Sequence, residues 1–363
     1  MRKKTKTRVK QIIFILVCAC FGFVLGITIG KAGVTTPKII IYSFSVVLFY
    51  IMHIFIHEAG HGFFGSLTGH KMLSYRIFSF MWLWQEDGKI VFRRLKVPGT
   101  LGQCLMSPPK FQDENYPYRL YIMGGVLANL FSSLLIGLLF IPSSVFAVLF
   151  VLAGLFIAIT NAIPMGFNDG MTYKIASSSP EQQYLLYLQM EVNSRLTKGQ
   201  TYQEMPEEYL RTVPAIPERT YFNDYQIFLQ IGLAFDKQDW DDFRNKLEDL
   251  WKERENLISL YQTELKKELL FALCLQDPQN PRIPDLWEDK IVKASLKQSL
   301  MGNRRIEAAY YYFIANDKQK AVSLLNKGIS LKEKAPNLGD SKMELRTINY
   351  LLDIMGPDLE KDI

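Results

Sequence analysis

The sequence predicts an α-helical membrane protein with about four transmembrane helices, a small membrane-surface β-hairpin and a cytosolic all-α C-terminal domain. Long apolar runs recur in the first half of the chain, each near the roughly 20 residues that cross a bilayer. The two halves of the chain also differ in charge. Residues 1–170 carry 16 Lys+Arg and 6 Asp+Glu, whereas residues 171–363 carry 26 Lys+Arg and 30 Asp+Glu. We therefore expect a membrane domain at residues 1–172 and a soluble domain at residues 173–363.

The first apolar run covers residues 11–30 and contains no charged residue. It follows six basic residues, namely Arg2, Lys3, Lys4, Lys6, Arg8 and Lys10. A cleaved signal peptide is one interpretation, but its apolar core is usually only about 7–15 residues long. A retained transmembrane helix is therefore expected.

Three further apolar runs predict helices at residues 39–62, 120–140 and 145–163. Basic residues are abundant before the first run and between residues 70 and 119. Because cytoplasmic segments near membrane helices are enriched in Lys and Arg, both of these segments are expected in the cytosol. Four crossings then give a multi-pass protein of the cell membrane with cytosolic N- and C-termini. The excess of positive charge lies between apolar runs, so it does not indicate nucleic-acid binding.

A β-hairpin is predicted at about residues 72–97. Aromatic residues alternate along its first strand, and Asp87-Gly88 separates that strand from residues 89–92. Asp-Gly between two alternating segments is typical of a hairpin turn. Two roles stay open, because the hairpin either presents an aromatic face at the membrane surface or only covers the membrane domain.

The C-terminal domain reads as helical hairpins. Small and aromatic residues in the segment 309–328 are spaced like those of one tetratricopeptide repeat. Residues 316–318 form the turn at which the two helices of that repeat would join. Such arrays need about three repeats to be stable, so only helical hairpins are expected with the repeat as an option. Residues 229–235 and 240–251 form a second candidate pair. The domain either recruits a cytosolic protein partner or is a passive soluble domain.

His57-Glu58-Ala59-Gly60-His61 carries the clearest chemical signal. Histidines at i and i+4 share one helix face, where both can bind one Zn²⁺, and the intervening glutamate can act on a zinc-activated water. Glu58 continues an apolar helix, where an acidic residue is costly and indicates function.

Asp169 is the expected third zinc ligand. It follows the fourth helix, which Pro164 should interrupt, and Gly170 lets the backbone turn the carboxylate toward the metal. One Zn²⁺ per chain is predicted, held by His57, His61 and Asp169. His53 lies one turn before His57 and is expected to pack or support the site, since a fourth protein ligand would exclude water. His70 is interpreted as a boundary residue.

These motifs resemble the site-2 protease family of intramembrane zinc metalloproteases. The resemblance covers about residues 38–172 and rests on three segments: HEAGH at 57–61, GGVLAN at 124–129 and NAIPMGFNDG at 161–170. It implies that Glu58 is the general base and that Asn129 lies near the site. Asn129 would hold the substrate or its oxyanion, or else make a helix–helix hydrogen bond. The hairpin matches the place where family members have strands at the membrane face, and the resemblance implies that it pairs there with an unwound substrate.

The function expected from these features is hydrolysis of peptide bonds in or near transmembrane segments of membrane proteins or peptide precursors. The alternative is a membrane scaffold with a structural zinc site and a partner-binding tail, although a structural site has no use for Glu58. A transporter component is a third interpretation, disfavoured because the four crossings show no internal repeat. The chain departs from common family patterns, since no segment reads as a PDZ-like domain and no apolar helix follows Asp169.

Overall fold

The structure, a computed structural model, describes residues 2–33, 35–85, 88–95, 100–111, 116–141, 144–210, 219–335 and 337–356. It divides into two compact units, Met1–Met190 and Glu191–Ile363. The division lies beyond the expected boundary at residue 172. The reason is local: Tyr184 and Tyr187 pack their rings against Phe111 of the first unit.

Within the described residues of the first unit, four helices are long and apolar enough to cross a membrane. They are α1 (Arg2–Lys31), α2 (Thr36–Leu67), α3 (Tyr118–Phe140) and α4 (Val145–Ala162). Large apolar side chains point outward from them, with Phe23 71%, Phe44 69% and Leu138 74% exposed. Exposed apolar surface of this extent suits lipid rather than water.

Helix α2 is longer than the 39–62 expected from hydropathy. It begins at Thr36 with Pro37 in its first turn, a position where the missing N–H of proline costs nothing. It continues to Leu67 and ends before Gly69, whose φ is +83°. At about 1.5 Å per residue its 32 residues span about 48 Å. The HEAGH segment therefore lies well inside the helix, with a further turn and a half beyond it.

An antiparallel sheet of four strands connects α2 and α3 in the described residues. Its strands are β1 (Lys71–Ile77), β2 (Phe80–Trp84), β3 (Ile90–Arg94) and β4 (Gly102–Ser107), in the order β3-β2-β1-β4. The predicted hairpin is confirmed as β2 paired with β3, although its turn residues Glu86 and Asp87 lie outside the described residues. Strands β1 and β4 were not predicted, so the hairpin is half of a larger sheet.

The sheet packs on the C-terminal half of α2 because that helix face is made of glycine. A Cβ on Gly62 would lie 2.7 Å from Met72 Cε, and one on Gly65 would lie 2.5 Å from Met106 Sδ. Hydrogen at these positions leaves room for the side chains of Met72 and Met106, by which β1 and β4 pack on the helix. The sheet is thereby held beside the HEAGH segment.

After α4 a turn leads into α5 (Asp169–Ala176) and α6 (Pro180–Thr197). The second unit is helical in its described part. Its helices are α7 (Glu207–Leu210), α8 (Tyr221–Asp236), α9 (Trp240–Trp251), α10 (Ser259–Gln276), α11 (Ile283–Glu288), α12 (Lys290–Leu296), α13 (Met301–Phe313), α14 (Lys318–Ser330) and α15 (Leu338–Met355).

Both predicted helical hairpins of the second unit are present, as α8 with α9 and α13 with α14. The α13–α14 turn lies where it was expected, with Asn316 at φ +54° and Asp317 capping α14. Ala309 and Ala321 are fully buried where the two helices meet. These features describe helical hairpins and give no specific support to a tetratricopeptide repeat. Buried Arg305 of α13 pairs with Glu268 and Glu344, and so joins α10 to α15.

Candidate metal centre

Three predicted ligands converge on one point. Nε2 of His57 lies 3.0 Å from Oδ2 of Asp169, Nε2 of His61 lies 3.4 Å from the same oxygen, and the two nitrogens are 3.3 Å apart. Tetrahedral Zn²⁺ with bonds of about 2.0–2.1 Å separates its ligand atoms by about 3.3 Å. The three separations therefore match three corners of a zinc tetrahedron.

The hydrogen-bonding state of these atoms also fits a cation. Nδ1 of His61 lies 2.8 Å from the Tyr121 carbonyl, which only accepts, so Nδ1 carries the proton and Nε2 of the neutral ring has a lone pair. Buried Oδ2 of Asp169 makes no well-formed hydrogen bond within the described residues. Lone pairs brought this close repel each other unless a cation lies between them. His57, His61 and Asp169 therefore form a group that can hold a metal ion.

Asp169 is an anion in this setting. Burial by itself would raise the pKa of its carboxyl, but positive charge on the adjacent His61 and His57 outweighs burial and lowers that pKa well below its usual range; when both rings are neutral ligands, a bound metal ion would supply that positive charge instead. A carboxylate that stays ionised at neutral pH is what an oxygen ligand to a divalent metal requires.

Glycines on α2 and α3 create the space for the site. A Cβ on Gly60 would lie 2.4 Å from the Gly124 carbonyl oxygen, and one on Gly124 would lie 2.6 Å from that of Gly60. The two helices therefore cross in direct backbone contact. The next residue, Gly125, leaves room for the His57 ring, since a Cβ there would lie 2.6 Å from its Nε2. The GGVLAN segment thus has a steric explanation.

Asp169 is aimed by the turn between α4 and α5. The side chain of Asn168 caps α5 by accepting from the Met171 N–H at 3.0 Å, and it donates to the carbonyls of Thr160 and Ile163 at 2.8 and 2.7 Å. Gly170 permits a close approach to α4, because a Cβ there would lie 2.1 Å from a carbonyl oxygen of that helix. The carboxylate is therefore held at the first turn of α5.

Glu58 is buried on the side of α2 that faces the sheet. Its carboxylate fills the space left by Gly102 at the start of β4, where a Cβ would lie 2.4 Å from Oε1. Electrostatic interactions link it to His61, His57 and Asp169. Glu58 also interacts electrostatically with Arg76, a fully buried arginine of β1. Arg76 anchors the adjacent loop, because its guanidinium donates a hydrogen bond to the Phe78 carbonyl at 2.6 Å. Glu58 is thus a buried acidic group near the three candidate ligands, and it does not belong to the group that could hold the metal ion.

Asn129 is fully buried between His57 and His53, 3.1 Å from Nδ1 of each ring. It contacts His57 on the side opposite the ligand atom Nε2. This geometry supports the helix–helix hydrogen bond, while a role for Asn129 in holding substrate stays a prediction. His70 lies just past the end of α2, where its ring stacks on Tyr121 at 4.8 Å.

Comparison of the chain with protein-family models, curated proteins and solved structures finds no match. The resemblance to site-2 proteases therefore rests on the three motifs. Sequence reasoning missed four contributors to the site, namely Arg76, Gly102, Tyr121 and Asn168. Only Asn168 had a usable signal, as an N-cap residue ahead of an acidic first turn.

Proposed function

We propose that this chain is an intramembrane zinc metalloprotease that hydrolyses peptide bonds in or near transmembrane segments of membrane proteins or peptide precursors. The observation that carries the proposal is the convergence of His57, His61 and Asp169, with the buried Glu58 close enough to interact electrostatically with all three. Three protein ligands leave the fourth tetrahedral position open, which is typical of catalytic rather than structural zinc sites.

Zn²⁺, when bound, would supply Lewis-acid polarisation of the scissile carbonyl and lower the pKa of water toward 7. Glu58 then acts as general base, taking the proton from the attacking water and delivering it to the leaving amine. The buried setting of Glu58 supports this role, because an acid in an apolar helix without a function is costly.

The membrane setting is supported by the four apolar helices and their exposed apolar side chains. HEAGH lies within α2, one of these helices, and Asp169 follows α4, another. A transmembrane substrate has to unwind locally, because helical carbonyls are already hydrogen-bonded. The distribution of Lys and Arg supports the proposal that both termini are cytosolic, and a cytosolic C-terminal unit would be available to a protein partner.

Metal content of purified variants tests the site. The full chain in detergent is expected to hold about one Zn²⁺, Glu58→Gln is expected to hold the same amount, and Asp169→Asn is expected to hold much less. Loss of zinc from Glu58→Gln together with retention by Asp169→Asn would contradict the assignment of ligands and base. Retained zinc with unchanged membrane-protein cleavage in Glu58→Gln would favour the scaffold alternative.

A further inference from the structure

A buried hydrogen-bond chain lies behind the candidate metal centre and joins three helices. Nε2 of His53, on α2, is 3.0 Å from the carbonyl oxygen of Phe150 on α4, and its Nδ1 is 3.1 Å from the amide of Asn129 on α3. The same amide is 3.1 Å from Nδ1 of His57. Both His53 and Asn129 are 0% exposed. No solvent exchange is therefore available to these groups, and each must be satisfied by the others.

The positions of the protons in this hydrogen-bond chain follow from the Phe150 carbonyl at one of its ends. The Phe150 carbonyl only accepts, so Nε2 of His53 carries a proton. A neutral imidazole then has a bare Nδ1, which has to accept from the NH₂ of Asn129. With the amide turned to donate to His53, its carbonyl oxygen would face His57 and accept from Nδ1–H of that ring. Nε2 of His57 is left with a lone pair directed at His61 and Asp169.

In the structure the amide has the opposite orientation, with Oδ1 toward His53 and Nδ2 toward His57, and that orientation leaves the hydrogen-bond chain unsatisfied. It would require protons on both nitrogens of His53, hence a buried cation with no acidic hydrogen-bond partner in the described residues. It would also put the proton of His57 on Nε2, at the position where the ligand lone pair is needed. A 180° rotation of the amide exchanges two atoms of nearly equal size and satisfies every group with neutral rings.

The His53 ring occupies a space made for it. A Cβ on Gly154 of α4 would lie 2.3 Å from Cε1 of His53, and the ring packs against that of Phe150 with centroids 4.3 Å apart. The imidazole therefore cannot swing away from the carbonyl that fixes its proton. The fixed His53 ring thereby restrains the orientation of the Asn129 amide, and the amide in turn restrains the tautomer of His57.

We propose that His53 is a positioning residue that sets the orientation of the Asn129 amide and thereby keeps His57 in its metal-binding tautomer. The inference rests on the metal site of the proposed function. Without His53 the amide has two accessible orientations, and one of them places a proton on the ligand nitrogen. Groups that fix the tautomer of a ligating histidine typically contribute 10- to 100-fold to metal affinity.

The test measures metal affinity of the full-length chain in detergent, with Zn²⁺ competed against a chelator and Co²⁺ as a spectroscopic probe of coordination. His53→Leu is expected to weaken Zn²⁺ binding by roughly 10-fold or more. His53→Gln keeps a donor for Phe150 and an acceptor for Asn129, so it is expected to bind as the wild type does. Gly137→Ala, on the same helix as Asn129 and in ordinary contact with its neighbours, is the matched control and should leave affinity unchanged.

A rescue variant makes the test specific to the tautomer. Asn129→Asp offers an acceptor oxygen to His57 whichever way the side chain is turned, and its negative charge lets His53 take a second proton and donate from Nδ1, so no particular amide orientation is needed. Asn129→Asp alone should retain affinity, and Asn129→Asp combined with His53→Leu should recover the affinity lost in His53→Leu.

Three results would overturn the proposal: wild-type affinity in His53→Leu, a tenfold loss in folded His53→Gln, or a tenfold loss in Asn129→Asp. The last two remain informative if His53→Leu fails to fold. All readouts use metal alone without a peptide substrate, so this proposal can fail while peptide hydrolysis stands, and the reverse.

Discussion

Gly125→Ala should remove His57 from the metal centre. A Cβ at position 125 would lie 2.6 Å from Cε1 and Nε2 of His57 and 2.7 Å from its Cδ2. Since non-bonded carbon atoms rest about 3.5–4.0 Å apart, the ring or helix α3 has to retreat by about 1 Å. A zinc ligand tolerates only about 0.2 Å.

The size of the effect follows from the loss of one ligand of three. Disturbing a supporting hydrogen bond already weakens metal binding by about 10- to 100-fold, so losing the ligand should cost at least about 100-fold, or about 2.7 kcal/mol. The same substitution should stabilise helix α3, because alanine is favoured over glycine by about 0.8–1.0 kcal/mol within a helix. Gly125→Ala should therefore be a folded protein with a defective metal site.

Gly137→Ala on the same helix provides the matched control. A Cβ there would lie 3.4 Å from Ile141 Cδ1 and 3.5 Å from Val151 Cγ2, which are ordinary contacts. The assay is Zn²⁺ affinity by chelator competition, with helix content measured by circular dichroism. Wild-type affinity in Gly125→Ala, or an equal loss in both variants, would refute the steric reasoning.

Three further changes probe other parts of the structure. Asn168→Ala removes two donated hydrogen bonds and a helix cap, so Zn²⁺ affinity measured by chelator competition should fall by roughly 10-fold or more; unchanged affinity would mean that the cap does not aim Asp169. Arg305→Ala strips two glutamates of a buried partner, which typically costs about 3–5 kcal/mol and should appear in urea unfolding of the C-terminal unit; a loss below about 1 kcal/mol would contradict a structural role. Burial raises the pKa of Asp340 to about 6, above its unfolded value, so its contribution to stability is present below the unfolded pKa and lost as pH rises to about 6. Asp340→Asn should flatten this pH dependence, and an unchanged profile would contradict it.

The four long apolar helices and the candidate metal ligands were the parts most accessible from sequence. Long apolar runs locate α1 to α4 because a bilayer imposes both length and polarity. His57 and His61 follow from helical periodicity alone. Asp169 could be proposed because acids are rare in the first half of the chain, and its neighbours Pro164 and Gly170 indicate a turn.

The sheet and the supporting contacts were less accessible for physical reasons. Strands β1 and β4 are distant in sequence, and their antiparallel pairing is a contact across the fold that local alternation does not predict. Gly102 and Arg76 matter only through their placement beside Glu58. The bridging position of Asn129 depends on a crossing of α2 and α3 in backbone contact, a distance that no sequence spacing contains.

The central claim is that Glu58 performs peptide hydrolysis in a membrane. The most direct measurement compares membrane proteins and released peptides, by quantitative mass spectrometry, in cells that carry wild type or Glu58→Gln at matched expression. The proposed function predicts that specific membrane precursors accumulate in the variant and that their fragments disappear. Identical profiles under several growth conditions, with zinc still bound to both proteins, would contradict hydrolysis and favour a membrane scaffold.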